Sequence, residues 1–385
     1  MNASIRIPGA GQFIRWFVAH LEDEEVRPQW MAPQGSMRFE LEQVGSVCML
    51  LVGEASIDCT LDAVNPRMEH LMRLSLAEHL QQFAEMEGLA ESAWAVQWHE
   101  PVQVAEGQSA DNGKEGLEKP AVHVMRVLAN TALTPCMRRL TLQAGDIDDV
   151  KAFAQGGLHV RMLMPQEGEV PHWPDMDGDG RLHWPAGAEP LARRTYTIRS
   201  LNEQEGIIDI DVLLHGVEDQ GAIGQGTVDH GVKRHVAPGS DWARGACAGS
   251  EVAVLSPAGG RLPTARRLVI VADACAVPAA ARIIESMDAG QQASVLCWVA
   301  SGEERHALPA ALQSRVDWIC AGVPGASEQE IAKVLQWLDA QDWSEPGNVE
   351  LWAAGGHAMA AAIRQWARNA ASMQGVRKLV SSYWR

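Results

Sequence analysis

Two short runs carry the side chains best suited to binding chemistry, and the first is RTYTIR, from Arg194 to Arg199. On a strand, alternate residues share a face, so Arg194, Tyr196 and Ile198 point to one side. Thr197 points to the other. A guanidinium fork suits a diphosphate, a tyrosine ring suits a flat group, and a threonine hydroxyl can hydrogen-bond its edge. The alternative interpretation is a half-buried strand with a surface arginine.

The second run, GSDWA, begins at Gly239 and is followed by another strand-like stretch. Ser240 is a good N-cap and Gly239 permits close approach, so the run predicts a helix start with accessible backbone amides. Such a helix terminus stabilises a diphosphate. An ordinary capped surface helix is the alternative. Together, the two runs favour a site for a nucleotide that carries a flat ring.

Three other features bear on metal or nucleotide binding, and each departs from the motif that such binding requires. The run DMDGDG, residues 175–180, begins like a calcium loop, but its twelfth position is Ala186 rather than glutamate, so we expect a solvated acidic loop. Gly221, Gly224 and Gly226 lack the order of a dinucleotide fingerprint and predict a flexible loop. The seven cysteines never form CxxC, which argues against a disulfide framework, a zinc site or an iron–sulfur cluster. We therefore expect no metal site.

The elements around these runs divide the chain into several domains. Residues 1–100 combine two helical stripes with short strands, which predicts a small α+β domain. The polar stretch 101–120 predicts a linker. Residues 121–260 hold six strand-like runs separated by turns, which suggest a closed antiparallel β-barrel. From 264 to 385, strands alternate with helices, which predicts a Rossmann-like α/β domain with a parallel sheet.

Two strand-to-helix turns of the last domain are candidates for nucleotide binding. Pro278 is well placed as the first residue of the helix that follows Asp273. Gly355 and Gly356 are the small residues that the close approach of a nucleotide requires. Neither turn carries a GxGxxG fingerprint, so plain strand-to-helix connections are an equally good interpretation of these residues alone.

Composition narrows the possible partners. A chain of 385 residues with 46% hydrophobic residues is too large for one compact core and sufficient for two or three. The formal net charge of −17 disfavours nucleic acids, and an anionic substrate would need a local basic pocket. No stretch approaches the ~20 apolar residues of a membrane span, and the first residues do not read as a secretory signal. We expect a cytoplasmic monomer without membrane insertion.

From Ala121 onward, the chain resembles the siderophore-interacting protein family, a branch of the ferredoxin reductase-like flavoproteins. The resemblance rests on TPCMRRLTL (134–142), HVRMLMP (159–165), RTYTIR, DVLLHG (211–216), GSDWA, SPAGG (256–260), VADACAVPAAARII (271–284) and the terminal YWR. The first domain resembles a small domain of unknown function found alone or fused ahead of such proteins, through the run from His79 to Trp98. Residues 217–238 make one connection longer than is usual in the family.

The resemblance implies an FAD-dependent reductase that takes electrons from NADH or NADPH and passes them to a ferric siderophore. No catalytic acid, base or nucleophile is then required, because the electrons pass through the flavin. The residues implied to bind FAD or the nucleotide are Arg194, Tyr196, Thr197, Ile198, Asp211, Leu213, His215, Gly239, Ser240, Trp242, Ala243, Asp273, Pro278, Gly355 and Gly356. Candidates for contact with an anionic siderophore are Arg161, Arg199, Lys378 and Arg385. Trp384 would either cover the flavin or pack against the last helix.

Two other functions stay open at this point. The first is a flavin-dependent NAD(P)H reductase whose acceptor is a quinone, a free flavin or an electron-transfer protein. The second is a non-catalytic protein that binds or sequesters a siderophore. A yellow purified protein argues against the non-catalytic siderophore-binding protein. Comparing turnover on ferric chelates with turnover on quinones separates a reductase with another acceptor from a ferric-siderophore reductase.

Overall fold

The computed structural model describes residues 1–23, 28–31, 36–41, 44–99, 120–154, 157–166, 168–214, 237–305, 316–320 and 327–384. These residues form two compact units, Met1–Ala121 with Pro174–Ala186 and Val122–Trp173 with Gly187–Arg385. Among the predicted features, His215, Arg385, the three glycines from Gly221 to Gly226 and residues 101–119 of the predicted linker lie outside the described residues.

The first unit packs two helices on one face of an antiparallel sheet. Its strands are β1 (Asn2–Arg6), β2 (Pro28–Met31), β3 (Ser36–Leu41), β4 (Gly45–Gly53), β5 (Ser56–Ala63) and β6 (Ala95–His99), in the order β2-β3-β4-β5-β1-β6. The helices are α1 (Ala10–Asp23) and α2 (Pro66–Met86). Strand β5 alternates buried and exposed residues, because only one of its faces meets the helices. The predicted α+β domain is confirmed.

A hairpin from the middle of the chain completes this first unit. Its strands β10 (Asp175–Met176) and β11 (Leu182–His183) pair antiparallel. The Asp177 carboxylate accepts hydrogen bonds from the backbone amides of Asp179 at 2.9 Å and Arg181 at 3.0 Å. The acidic run that was predicted to be a solvated loop is therefore an ordered turn, in which one carboxylate satisfies two backbone donors.

The hairpin is tied to helix α2 and to the start of β6 by its basic and acidic side chains. The Arg181 guanidinium lies over the Trp94 ring, 3.9 Å from its centroid, and Arg73 forms an ion pair with Asp179 at 2.7 Å. The hairpin's residues 174–186 thus pack with the first unit, although the sequence placed them inside a continuous barrel domain. Sequence pattern misses this packing because it reports local periodicity and not distant contacts.

The second unit begins with a closed antiparallel barrel, which confirms the predicted six strands. These are β7 (Ala121–Thr134), β8 (Met137–Ala144), β9 (His159–Met164), β12 (Ala192–Asn202), β13 (Ile207–Leu213) and β14 (Glu251–Gly259), closed in the order β12-β13-β8-β7-β14-β9. A short helix α3 (Lys151–Ala154) follows β8, and helix α4 (Pro238–Gly245) precedes β14. Inward side chains such as Leu142, Met162 and Ile210 are fully buried and fill the barrel.

The rest of the second unit is a parallel α/β sheet, as the alternation of strands and helices predicts. It contains β15 (Arg267–Asp273), α5 (Val277–Glu285), β16 (Gln292–Val299), β17 (Val316–Cys320), α6 (Glu328–Asp339), β18 (Val349–Gly356), α7 (His357–Asn369) and β19 (Arg377–Trp384). The strand order is β17-β16-β15-β18-β19, so the chain changes direction across the sheet between β15 and β18. Strand β19 was not predicted. None of the helices in the described ranges is long and apolar enough to cross a membrane.

We expect Arg181→Ala to lower the free energy of unfolding of the first unit by about 1–2 kcal/mol, because it removes a cation–π contact and a hydrogen bond to the Trp94 carbonyl. Urea unfolding followed by tryptophan fluorescence measures this loss. Arg126→Ala is the matched control, because its ion pair with Glu251 is exposed and contributes little. Equal costs for the two variants would contradict the role given to Arg181.

Candidate functional site

Strand β12 carries RTYTIR and sends its side chains into two different surroundings. Ile198 is fully buried in the barrel core and Tyr196 packs at the edge of that core. Thr197 lies on the opposite face, where its Oγ1 is 3.5 Å from Nδ1 of His159. Arg194 is exposed, and its Nη1 donates to the carbonyl oxygen of Arg193. The alternation predicted from the sequence therefore holds.

The beginning of helix α4 lies directly against Tyr196. A Cβ placed on Gly239 would overlap the Tyr196 hydroxyl oxygen, so this approach requires glycine. The prediction of Ser240 as the N-cap is wrong, because α4 begins at Pro238 and its N-cap is Ala237. Ser240 lies in the first turn, where its buried hydroxyl donates to the carbonyl oxygen of Leu213 at 3.4 Å and joins the helix start to the end of β13. The structure thus brings together Tyr196, Gly239, Ser240 and Leu213, which lie in three separate stretches of the sequence.

The chemistry of this group suits a cofactor with a diphosphate and a flat ring. The first turn of α4 places the backbone amides of Gly239 and Ser240 at the positive end of the helix dipole, which favours an anion. Arg194 provides an exposed guanidinium close enough for its charge to influence Tyr196. Burial raises the pKa of Tyr196 to about 12, although the charge of Arg194 acts the other way. The phenol is therefore neutral at physiological pH.

Trp242 and Ala243, also predicted to bind the cofactor, pack helix α4 against the barrel. Ala243 is fully buried in the barrel core and Trp242 packs against that core. Asn130 of β7 donates from Nδ2 to the carbonyl oxygens of Ala243 at 2.9 Å and Ala246 at 2.7 Å. Sequence reasoning missed Asn130, whose only signal is an unfavourable residue type for a strand interior.

Asp211 forms an ion pair with a side chain of the neighbouring strand. Its buried carboxylate accepts two hydrogen bonds from Arg139 of the neighbouring strand, at 2.7 Å from Nε and 2.9 Å from Nη2. The hydrogen bond to Asp211 raises the pKa of Arg139. This pair links strands β13 and β8, and the cofactor contact that the resemblance implies for Asp211 stays a prediction.

The first strand-to-helix turn of the α/β domain is organised by Asp273. Its Oδ1 accepts from the backbone amides of Cys275 at 3.0 Å and Ala276 at 3.2 Å, just before helix α5. Pro278 is buried in the first turn of that helix. Burial raises the pKa of Asp273 to about 6, although four hydrogen bonds favour the charged form.

The second turn, at the end of β18, meets the same carboxylate. Asp273 Oδ2 accepts from the Gly356 amide at 2.8 Å and from Nε1 of Trp384 at 2.6 Å. A Cβ on Gly355 would lie 2.7 Å from Cγ of Asp273, and one on Gly356 would lie 2.7 Å from Cζ2 of Trp384. The small residues predicted for a nucleotide are thus also needed by these two protein side chains.

His159 and Tyr383 link the barrel to the last strand of the α/β domain. The Tyr383 hydroxyl is 2.9 Å from Nε2 of His159, whose Nδ1 faces Thr197. Burial, reinforced by the charge of Arg282, lowers the pKa of His159 to about 4, so the ring is neutral at physiological pH. Both residues lie in the motif runs that carry the resemblance, but sequence reasoning did not assign them to the site.

The four predicted siderophore contacts fall in different places. Arg161 of β9 is paired in register with Thr195, on the face of the strands that also carries Thr197. Arg199 is buried and donates to both carboxylate oxygens of Glu285, at 2.5 and 2.8 Å. Lys378 is exposed near the beginning of β19, five residues and about 16 Å before Tyr383. Arg161 and Arg199 both lie on the face that carries Thr197, but Arg199 is engaged with Glu285.

A metal site was not expected, and the described part of the chain contains no group of three or more histidine, cysteine, aspartate or glutamate side chains that could hold a metal ion.

Comparison with known proteins gives the same division of the second unit. The siderophore-interacting FAD-binding domain matches residues 126–261, and the siderophore-interacting protein domain matches residues 265–385. The ferric vibriobactin reductase ViuB of Vibrio cholerae is 25% identical over 234 residues, which cover 60% of this chain and 78% of that protein.

Solved structures share this fold. The siderophore-interacting protein SipS from Aeromonas hydrophila is 23% identical, with a TM-score of 0.51, over 70% of this chain and 92% of that one. A siderophore utilization protein from T. fusca is 25% identical, with a TM-score of 0.53, over 69% of this chain and 94% of that one.

We expect Gly239→Ala to weaken FAD binding about tenfold or more, because the new methyl group meets the Tyr196 hydroxyl and pushes the helix start away. Quenching of flavin fluorescence on titration measures the Kd. Gly245→Ala, at the other end of the same helix, is the matched control, because its Cβ would meet no atom within 4 Å. Adding Tyr196→Phe to Gly239→Ala should restore part of the affinity, and loss of affinity in the control would contradict this account.

The lowered pKa of His159 predicts a pH-dependent stability. The unfolded chain takes up a proton near pH 6.5 that the folded protein accepts only near 4, so the wild type loses stability as the pH falls between these values. His159→Gln lacks this loss, and its deficit relative to wild type should shrink by about 2 kcal/mol between about pH 7 and about pH 4.5. Urea unfolding at the two pH values measures the change. Tyr383→Phe keeps His159 and should show no such gain, and a constant deficit for His159→Gln would contradict the assignment.

Proposed function

The chain belongs to the siderophore-interacting protein family, and from this premise we propose that it is an FAD-dependent reductase that passes electrons from NADH or NADPH to a ferric siderophore and releases iron as Fe(II). We place the reaction in the cytoplasm, where reduced nicotinamides are available. FAD, when bound, accepts a hydride and returns single electrons, and the protein positions the partners.

The observation that carries this proposal is the contact between Gly239 and Tyr196. The start of α4 packs so closely on Tyr196 that a Cβ at Gly239 would overlap its hydroxyl, and the exposed Arg194 lies on the same strand. Backbone amides, an aromatic ring and a guanidinium thus form one cradle. A flavin dinucleotide needs a site for its diphosphate beside a surface for its flat ring, and few other ligands need both. This cradle therefore supports FAD more directly than any residue type in the sequence does.

The chain's own residues would divide the work of binding FAD. Arg194 would pair with the diphosphate, and the first turn of α4 would donate backbone hydrogen bonds to it. Tyr196 would present its ring to the flat part of the cofactor. Thr197, on the other face of β12, would hydrogen-bond the edge of the ring from the side that the His159–Tyr383 pair closes.

Arg161 is the side chain we assign to the ferric siderophore. It lies beside Thr195 on the face that also carries Thr197, in a chain whose formal net charge is −17. A local cation is needed there because the overall field repels an anionic chelate.

The proposal is tested on the purified protein loaded with FAD, under anaerobic conditions. NADH or NADPH should bleach the flavin absorbance, and a ferric siderophore added with a ferrous trap should restore it as trapped Fe(II) appears. Bleaching that a ferric siderophore does not reverse, but a quinone does, would overturn the siderophore as acceptor. A protein that fails to take up FAD would overturn the reductase itself.

We expect Arg161→Gln to raise the KM for an anionic ferric siderophore about tenfold, because it removes the cation that attracts the chelate. Steady-state rates with a ferrous trap measure the change. The KM for a neutral quinone should stay within about twofold of wild type, and Arg126→Gln on β7, an exposed arginine paired with Glu251, is the matched control. Equal increases for the charged and neutral acceptors would contradict a role in recognising charge.

A further inference from the structure

The crevice between β15 and β18 is the place where a dinucleotide is expected in a sheet of this kind. Ligands of open parallel sheets bind beyond the carboxyl ends of the strands, where the strand order changes direction. Here the change lies between β15, which ends at Asp273, and β18, which ends at Gly356. Helix α5 begins beside this point.

The backbone donors at this point are already used by the protein. The amides of Cys275 and Ala276 from the first turn, and of Gly356 from the second, donate to the Asp273 carboxylate. In a dinucleotide site, amides in these positions donate to a diphosphate. Asp273 therefore supplies, from within the chain, the negative charge that the start of α5 would otherwise draw from a ligand.

The remaining space is taken by Trp384. Its Nε1 donates to Oδ2 of Asp273 at 2.6 Å, and its ring lies so close to Gly356 that a Cβ there would be 2.7 Å away. Each oxygen of the Asp273 carboxylate thus accepts from two donors. Of these four donors, three are backbone amides and one is the indole of Trp384. A second anion at this point would meet a buried like charge and no available partner among these donors.

We propose that Asp273 is a specificity-determining residue that keeps the diphosphate of the nicotinamide donor out of this crevice, so that the donor binds mainly through its nicotinamide end. This inference rests on the proposed nicotinamide donor. It also accounts for a nucleotide domain without a glycine fingerprint, because turns that face a carboxylate have no diphosphate to accommodate.

The test is the affinity of oxidised NADP⁺ for the FAD-loaded protein, measured by isothermal titration calorimetry and therefore independent of turnover. Asp273→Asn keeps an oxygen that can accept from the amides of Cys275 and Ala276, but removes the charge and places an NH₂ group opposite the Gly356 amide and Trp384. We expect the Kd to fall about five- to tenfold. The KM for NADPH should fall in parallel, with a smaller change in kcat. A purely structural role would instead raise the Kd or leave it unchanged, and either result would overturn the proposal.

Three further variants make the result specific. Glu350→Gln neutralises a buried carboxylate near the opposite end of β18, bonded to Arg261, and should leave the Kd within about twofold of wild type. Trp384→Phe removes the indole donor but keeps the charge of Asp273. A fall in Kd for Trp384→Phe equal to that for Asp273→Asn would assign exclusion to the indole and overturn the role of the carboxylate. Asp273→Ser, a shorter neutral cap for α5, gives the same test if the asparagine variant does not fold.

The outcomes separate this inference from the proposed function. If neither NADH nor NADPH reduces the flavin of the wild type, the nicotinamide donor itself is wrong. If the wild type is reduced but Asp273→Asn shows no tighter binding, the donor stands and only the role of Asp273 fails.

Discussion

The alternation of side chains along strand β12 is the constraint on which the rest of the second unit depends. Tyr196 and Ile198 point into the barrel, while Thr197 and Arg199 point towards the α/β domain. One register therefore decides both which side chains of β12 fill the barrel and which meet the α/β domain. A shift of one residue would exchange the two sets, burying a guanidinium in the apolar barrel and exposing Ile198.

Charged contacts fix the orientation of the two domains of this unit. Arg199 pairs with Glu285 of helix α5, and Arg282 of the same helix donates to the carbonyl oxygen of Ile198 at 3.0 Å. Burial, together with the charge of Arg199, lowers the pKa of Arg282 to about 10. Buried charges of this kind cost about as much to desolvate as they return, so their main effect is to exclude other orientations. The orientation of the barrel relative to the α/β domain is therefore set by these charged contacts.

Local pattern predicted the barrel, the parallel sheet, the faces of β12 and the helix at Gly239, because each depends on periodicity or on one residue type. It did not predict the partners of Asp211 and Arg199, which lie 72 and 86 residues away in the sequence. The pair Gly355–Gly356 also has partners that the sequence alone does not reveal. A requirement for small residues is visible in the sequence, but the group that imposes it, here Asp273 and Trp384, becomes visible only once the strands are side by side.

The hairpin at 174–186 changes what the first domain can be. Its Arg181 lies over Trp94, and the Leu182 amide donates to the Gln81 side chain at 3.2 Å, so the unit is complete only when a segment from between β9 and β12 is added. Cutting the chain at the predicted linker would therefore remove the partners of the hairpin and leave its basic and apolar side chains without cover. Because β9 and β12 carry Arg161 and Arg194, the same segment that completes the first domain is covalently continuous with the strands of the candidate site.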